Sequence, residues 1–314
     1  MTSETASGKR VALALGSGGA RGYAHIGVIR ELEAHGYEIV GIAGSSMGAL
    51  VGGLHAVGRL DEFADWAVSL TQRDVLRMLD PTLMGPGMVR ASKIFGKLGE
   101  LVGDVLIEDL PIPYTAVAAD LTRRKEVWFQ RGRLDAAIRA SSAIPGVITP
   151  VVVNGRLLAD GGLVDPLPVV ATAGIDADVV VGVALAGEHL SVAGFPDAPA
   201  REAASATEEE IRPDSELVKT LNRWMGNIRS QLSDADEADA PAYDPPPAGL
   251  KTRDVVDLSL DTLRSVVAKY RLAGYPPDVL ITIPRDAGGT LDFHRADELI
   301  ELGRARTRAA LKTP

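Results

Sequence analysis

The 314-residue chain contains no cysteine. That excludes disulfides, thiolate nucleophiles and thiolate metal sites, and it leaves the redox compartment open. No stretch of eighteen apolar residues is free of charge, so the chain is expected not to span a membrane. Met1 to Arg10 is polar and too short for a signal peptide, which points to a cytoplasmic protein or one peripheral at a membrane. Positive charge is in deficit, with 33 Lys and Arg against 42 Asp and Glu and a formal net charge of −9. Such a chain has no general attraction for nucleic acid or for anionic membrane; only a local basic patch can supply either. No internal repeat is evident, and the length suits one large domain or two small ones.

Glycine, by contrast, is plentiful at 33 residues, and it gathers at strand-to-helix turns. Val11 to Leu15 reads as a buried first strand that breaks into Gly16-Ser17-Gly18-Gly19-Ala20-Arg21-Gly22. Ile26, Ile29 and Leu32 then recur at helical spacing, with Gly36 placed to stop that helix. A second apolar run, Ile39 to Ala43, delivers Gly44-Ser45-Ser46-Met47-Gly48 and a helix-compatible run to Val57. A strand that turns through G-x-S-x-G into a helix is the signature of a nucleophile elbow, in which small residues let strand and helix pass closely beneath an exposed hydroxyl. Strand, helix, strand, helix predicts an α/β sheet with helices on its faces.

Beyond Asp61 the pattern is mostly helical to Leu110, with Phe63, Trp66, Ala67 and Leu70 on one face. It is either a cap over the site or an outer layer. Tyr114 to Ala119 and Glu126 to Phe129 are predicted strands, and Thr122-Arg123-Arg124-Lys125 between them a solvated, charged hairpin tip. Leu134 to Ala143 reads as a helix stopped by Pro145. Val151-Val152-Val153, Asn154-Gly155 and Leu157-Leu158-Ala159 predict a hairpin that runs into Asp160-Gly161-Gly162. Pro166 and Pro168 open a further helical stretch, and Asp178 to Leu185 is a strand.

Residues 187–250 form a loop-rich insert with Pro-, Ala- and acid-rich ends around one amphipathic stripe, Leu217 to Leu232, read first as a core-packed helix and second as a lid. A long helix over Val255 to Tyr270, a strand over Val279 to Ile283 and a mostly helical Asp292 to Leu311 complete a single domain over residues 9–311.

A serine hydroxyl needs a base. Among the histidines, His294 is the candidate by position, although its surroundings read more simply as a helix start; His25, His35, His55 and His189 read as structural. Among carboxylates, Asp160 at the end of an apolar strand, Asp120 and Asp165 all remain open, and spacing alone does not choose. A Ser-Asp pair lacks an orienting third group, which suits esters better than amides. The loop Gly16 to Gly22 is no P-loop, since no G-K-[ST] follows, and it fails the dinucleotide register. Its backbone N–H groups at a helix start suit an oxyanion hole. Arg21 is read as pinning that loop.

Taken in order, Val11 to Gly22 leading into His25-Ile26-Gly27-Val28, the elbow Gly44 to Gly48, Ser141-Ser142-Ala143-Ile144-Pro145-Gly146 and Asp160-Gly161-Gly162 resemble the bacterial branch of the patatin-like phospholipase family, related to the neuropathy-target-esterase group of serine lipid hydrolases. Leu291-Asp292-Phe293 with Ala296 to Gly303 resembles the close of those proteins. The resemblance covers about Val11 to Leu185. It implies a three-layer α/β/α patatin-like fold with a mostly parallel central sheet. It also implies Ser46 as nucleophile, Asp160 as its base, Gly18 and Gly19 as oxyanion donors, Gly16, Arg21 and Gly22 as loop supports, and Gly44 and Gly48 as elbow residues. No metal or organic cofactor is implied. The implied substrate is an acyl-ester lipid, a phospholipid or lysophospholipid, met in transient contact with a membrane surface; nucleic acid is not expected, and the oligomeric state is left open. A soluble carboxylesterase or acyl-thioesterase, and a non-catalytic scaffold that keeps the fold, are the alternatives. Ser17 departs from the family's three consecutive glycines, which leaves Gly18 and Gly19 as the donors.

Overall fold

The computed structural model describes residues 8–78, 87–89, 92–187 and 252–312. The insert at 187–250, with its stripe Leu217 to Leu232, lies outside the described residues apart from Gly187. The fold and the site belong to the compact unit formed by Met1–Pro196 with Val256–Pro314.

The chain opens as β1 (Arg10–Leu15), α1 (Ala24–Ala34), β2 (Glu38–Ser45) and α2 (Met47–Ala56). Next come α3 (Leu60–Val68), α4 (Gln72–Met78), the short β3 (Gly87–Val89) and α5 (Ser92–Val102). After β4 (Tyr114–Asp120), β5 (Lys125–Phe129) and α6 (Leu134–Ser141) follow β6 (Gly146–Ile148), β7 (Val151–Val153), β8 (Arg156–Asp160) and β9 (Val179–Gly187). The described chain ends with α7 (Thr252–Gly274), β10 (Val279–Pro284) and α8 (Ala296–Lys312).

The main sheet runs β10-β9-β1-β2-β4, every neighbour parallel. Fully buried Val, Leu and Ile on β1 and β2 are what a parallel strand covered on both faces requires. One face carries the main core, in which Leu13, Leu15, Ile42 and Val183 pack beneath α1, α2, α6 and α8. The opposite face is narrower, with Ala43 and Val117 covered by Ala171. There the helix expected after Pro166 is replaced by irregular chain with a single 3-10 turn, Val170–Thr172. Two prolines in three residues remove N–H donors and disfavour helical geometry before each ring. Helices or helical turns therefore lie on both sides of the sheet in a three-layer α/β/α arrangement.

Two registers position the site. Leu15 pairs with Gly44, so the loop after β1 and the elbow after β2 leave the sheet side by side. On β4, residues 114–117 pair with β2, while 118–120 pair antiparallel with β8 along the same edge, β5 occupying the other. Strand β8 therefore ends where β2 ends, and Asp160, opposite Ala118, arrives beside Ser45, opposite Val117. Asn154 and Gly155, at φ 50° and 71°, turn the β7–β8 hairpin as their left-handed preference predicts.

Candidate active site

Ser46 sits between β2 and α2 at φ 57°, ψ −122°, a conformation that a residue with a Cβ adopts at a cost of roughly 1–3 kcal/mol. Its surroundings enforce it. The Ser46 N–H donates to Ser141 Oγ at 2.8 Å, and that hydroxyl donates on to the Val117 carbonyl at 2.6 Å. Ser142 Oγ donates to the Ser46 carbonyl, and Ser45 Oγ to the Asp165 carbonyl at 2.6 Å. Beneath the turn, a Cβ on Gly48 would stand 2.1 Å from the Leu15 carbonyl oxygen, and one on Gly44 2.4 Å from the Gly48 carbonyl. Only glycine lets strand and helix cross at that distance.

Ser46 Oγ donates to Asp160 Oδ2 at 2.5 Å. The other carboxylate oxygen accepts from the Gly162 N–H at 2.7 Å, and the Asp160 N–H donates to Ala143 at 2.9 Å. Asp160 is 2% exposed. Burial pushes its carboxyl above the usual range, opposed by the positive charge of Arg264 on α7 and by the bonds from Ser46 and Gly162. A carboxylate so placed is a stronger base than one in water. Arg264 has no signal in the sequence; its part in the site comes only from the packing of α7. Its own Nε is buried without a hydrogen-bond partner.

Neither rival carboxylate bonds Ser46. Asp120 Oδ1 accepts from the N–H groups of Thr122 and Arg123 at the far hairpin turn. The Asp165 carboxyl, pushed up to about 7 by burial, faces Arg271 at 3.4 Å and does not bond Ser46. Among the described histidines none bonds Ser46 or Asp160. His25 is fully buried, its ring Nε2 donates to the Gly16 carbonyl at 2.8 Å, and burial lowers its pKa to about 4, so it is neutral. His35 and His55 lie beside Glu31 and Glu33, and His294 stands in the 3-10 turn before α8. His189 is outside the described residues.

In the glycine loop, the N–H groups of Gly16, Ser17 and Ala20 donate to Val183, Pro166 and Thr290. Those of Gly18 and Gly19 donate to no group among the described residues. Gly19 is left-handed at φ +58°, and a Cβ there would lie 2.5 Å from the Thr290 carbonyl oxygen. Arg21 holds the loop as expected, Nε donating to the Gly18 carbonyl at 3.3 Å and Nη1 to the Arg285 carbonyl at 3.0 Å. Because the peptide is planar and trans, pinning the Gly18 carbonyl also aims the Gly19 N–H the opposite way. Gly22 packs against Met47 at the start of α2, closing loop onto elbow.

Gly19 and Ser46 open on a cleft whose other walls are almost wholly apolar. Phe63, Trp66 and Leu70 line it together with Val75 and Phe95, so the helical region after Asp61 caps the site. Ile144 and Val147, from the stretch between α6 and β7, line it as well. Among the described residues no group of three or more His, Asp or Glu is placed to hold a metal ion, and no helix is long and apolar enough to cross a membrane.

Known proteins resemble this chain in sequence. A family model described as patatin-like phospholipase fits residues 13–173, a span that holds the loop, the elbow and Asp160. An uncharacterized NTE family protein of Mycobacterium tuberculosis is 49% identical over 334 positions, covering 98% of this chain and 92% of its own. Lysophospholipase NTE1 of Coccidioides immitis is 29% identical over 305 positions, covering 94% of this chain but 17% of that protein. Among solved structures, VipD from Legionella pneumophila aligns with a TM-score of 0.46 at 14% identity, over 97% of this chain and 67% of its own. By the extent of the family match and the identity of the mycobacterial relative, the chain belongs to the patatin-like phospholipase family of lipid hydrolases.

Proposed function

We propose that the protein hydrolyses fatty-acyl esters of phospholipids or lysophospholipids through Ser46 and Asp160. One observation carries the reading: a strained serine bonded at 2.5 Å to a buried carboxylate, with the serine opening on an apolar cleft that suits an acyl chain. Ser46 Oγ attacks the acyl carbonyl carbon while its proton passes to Asp160 Oδ2. The oxyanion accepts hydrogen bonds from the N–H groups of Gly18 and Gly19, which have no partner among the described residues and are fixed before the reaction begins. Collapse breaks the acyl carbon–oxygen bond, and the leaving alcohol takes the proton from Asp160. Water, giving its proton to Asp160, then attacks the acyl-serine; Ser46 recovers the proton and the fatty acid departs.

The phospholipid substrate class rests on family membership and on the apolar lining together; a small polar ester leaves that lining unused. The direct test is labelling by a fluorophosphonate probe. The wild-type protein is expected to label stoichiometrically and Ser46→Ala not at all. Equal labelling of both would move the nucleophile elsewhere. No labelling of either would favour a silent scaffold.

A further inference from the structure

Leu121 to Arg131 carries four cations and one carboxylate, and the β7–β8 hairpin adds Arg156. In the fold these segments are neighbours, because β5 and β8 flank the last residues of β4. Among the described residues Arg123, Arg124, Lys125, Arg131 and Arg156 make no salt bridge. Of the acids beside them, Glu126 is held by Arg271, and Asp120 Oδ1 accepts from the Thr122 and Arg123 N–H groups. In a protein of net charge −9 this is a concentration of unpaired positive charge. Arg123, Arg131 and Arg156 line a shared open groove.

Apolar side chains stand exposed among these cations. Leu121 is 41% exposed, Leu157 40% and Val152 70%. They share one level: the Leu121 N–H donates to the Leu157 carbonyl at 3.0 Å, and Val152 is the register partner of Leu157. Single exposed apolar residues are ordinary, but three at one level beside five unpaired cations are not explained by solvation alone. The level is also informative. Strand β4 runs parallel to β2 and continues past the Ser45–Val117 pair, so both hairpin tips project beyond the strand end that raises Ser46.

We propose that the two hairpin tips form a docking surface for an anionic lipid bilayer. Leu121, Val152 and Leu157 enter the interface, and Arg123, Arg124, Lys125, Arg131 and Arg156 meet the headgroup phosphates. The inference takes its occupant from the hydrolase reading above. Nucleic acid and acidic protein satisfy the cations but leave the apolar triplet without a role, whereas a bilayer satisfies both. Docking there presents the same end of the sheet, with Ser46 and its cleft, to the lipid. The long stems of Arg and Lys lie along apolar surface while their heads stay with the phosphates. The attraction falls with salt, because the tips are exposed to solvent.

The test is co-sedimentation of Ser46→Ala protein with vesicles of phosphatidylcholine, with and without phosphatidylglycerol. Binding is expected only with phosphatidylglycerol, weakening as salt is raised. The triple variant Arg123→Glu/Lys125→Glu/Arg156→Glu, which spares the left-handed Arg124, is expected to bind at least tenfold more weakly. Val152→Asp/Leu157→Asp is expected to weaken binding severalfold at fixed salt. In the Ser46 background, each variant is expected to hydrolyse a soluble short-chain ester at the parent rate, which shows that the fold is intact. Equal binding to both vesicle types, binding to neither, or undiminished binding by the triple variant overturns the proposal. So does a triple variant that loses binding to duplex DNA or an acidic protein while its vesicle binding stays at the parent level. Fluorophosphonate labelling of the parent protein reports separately on the hydrolase reading, so failure of one is not mistaken for failure of the other.

Discussion

Two glycine-rich turns leave adjacent parallel strands at the same height, yet they are built for opposite ends. After β1, the N–H groups of Gly18 and Gly19 have no partner among the described residues, and side chains hold the loop, with Arg21 on the Gly18 carbonyl and His25 on that of Gly16. After β2, the Ser46 N–H and carbonyl are both bonded, by Ser141 and Ser142, and what is left free to act is a side chain. The first turn offers backbone and the second offers a hydroxyl. Both are held by hydrogen bonds from distant parts of the chain, which on the proposed chemistry is the condition under which fixed dipoles lower a barrier most.

Breaking the donor turn is expected to have the largest effect. Gly19→Ala places a methyl against Thr290 in a left-handed conformation, so the loop must shift and the donor with it. On the proposed chemistry, kcat for a soluble ester falls by about 10²–10³, the usual effect of losing one oxyanion donor. The elbow is untouched, so a crystal structure of the variant is expected to retain the Ser46–Asp160 bond. Undiminished kcat would remove Gly19 from the site.

A smaller effect is expected at the other turn. Ser141→Ala deprives the Ser46 N–H and the Val117 carbonyl of their partner, and both are buried. Leaving such groups unpaired costs roughly 1–3 kcal/mol, to be read as a lowered denaturation midpoint. Because the elbow loses one of several braces rather than its nucleophile, kcat is expected to fall by about tenfold, less than for the donor loop. Ser141→Thr, which restores a hydroxyl, is expected to recover part of both. A variant with unaltered midpoint and rate would show that the elbow holds itself.

The contrast also explains what could be read in advance. Both turns are local, so glycine spacing and apolar runs exposed them, and the Asn154-Gly155 hairpin was legible for the same reason. The partner of Ser46 was not local. Asp160 stands out at the end of its apolar strand, with Asp120 the chief rival and Asp165 a lesser one, but spacing alone does not choose among them, and the family resemblance selects Asp160. What separates them is the change of partner along one edge of β4, where β8 takes over from β2, a register that no short window contains. The stretch Ser141 to Gly146 stood out as a motif without a task; its hydroxyls prove to brace the elbow. The prolines at 166 and 168, read as opening a helix, instead leave irregular chain with one 3-10 turn, because each removes an N–H donor and disfavours helical geometry before it. Arg264 left no trace, since its relation to Asp160 exists only once α7 packs.

That last residue gives the finest prediction, because it touches neither turn. Burial raises the Asp160 carboxyl above its ordinary range, and Arg264 restrains the rise. In the proposed mechanism Asp160 must be ionised to accept the Ser46 proton, so kcat/KM rises with pH as that carboxyl deprotonates. Arg264→Met keeps much of the side chain's length and removes its charge. The restraint is lost, Asp160 holds its proton to higher pH, and the acid limb is expected to move upward while the plateau above it changes little. Stability answers a different question. Arg264 Nη1 lies 3.8 Å from Asp261, a carboxylate that Arg285 engages at 2.6 Å. Without the Arg264 charge the buried Asp160 carboxyl lies further above its unfolded value, so at neutral pH the variant is expected to melt lower than the parent, a difference that closes as pH falls below the ordinary carboxylate range. An acid limb that stays in place, or moves downward, would show that the charge on α7 does not reach the carboxylate.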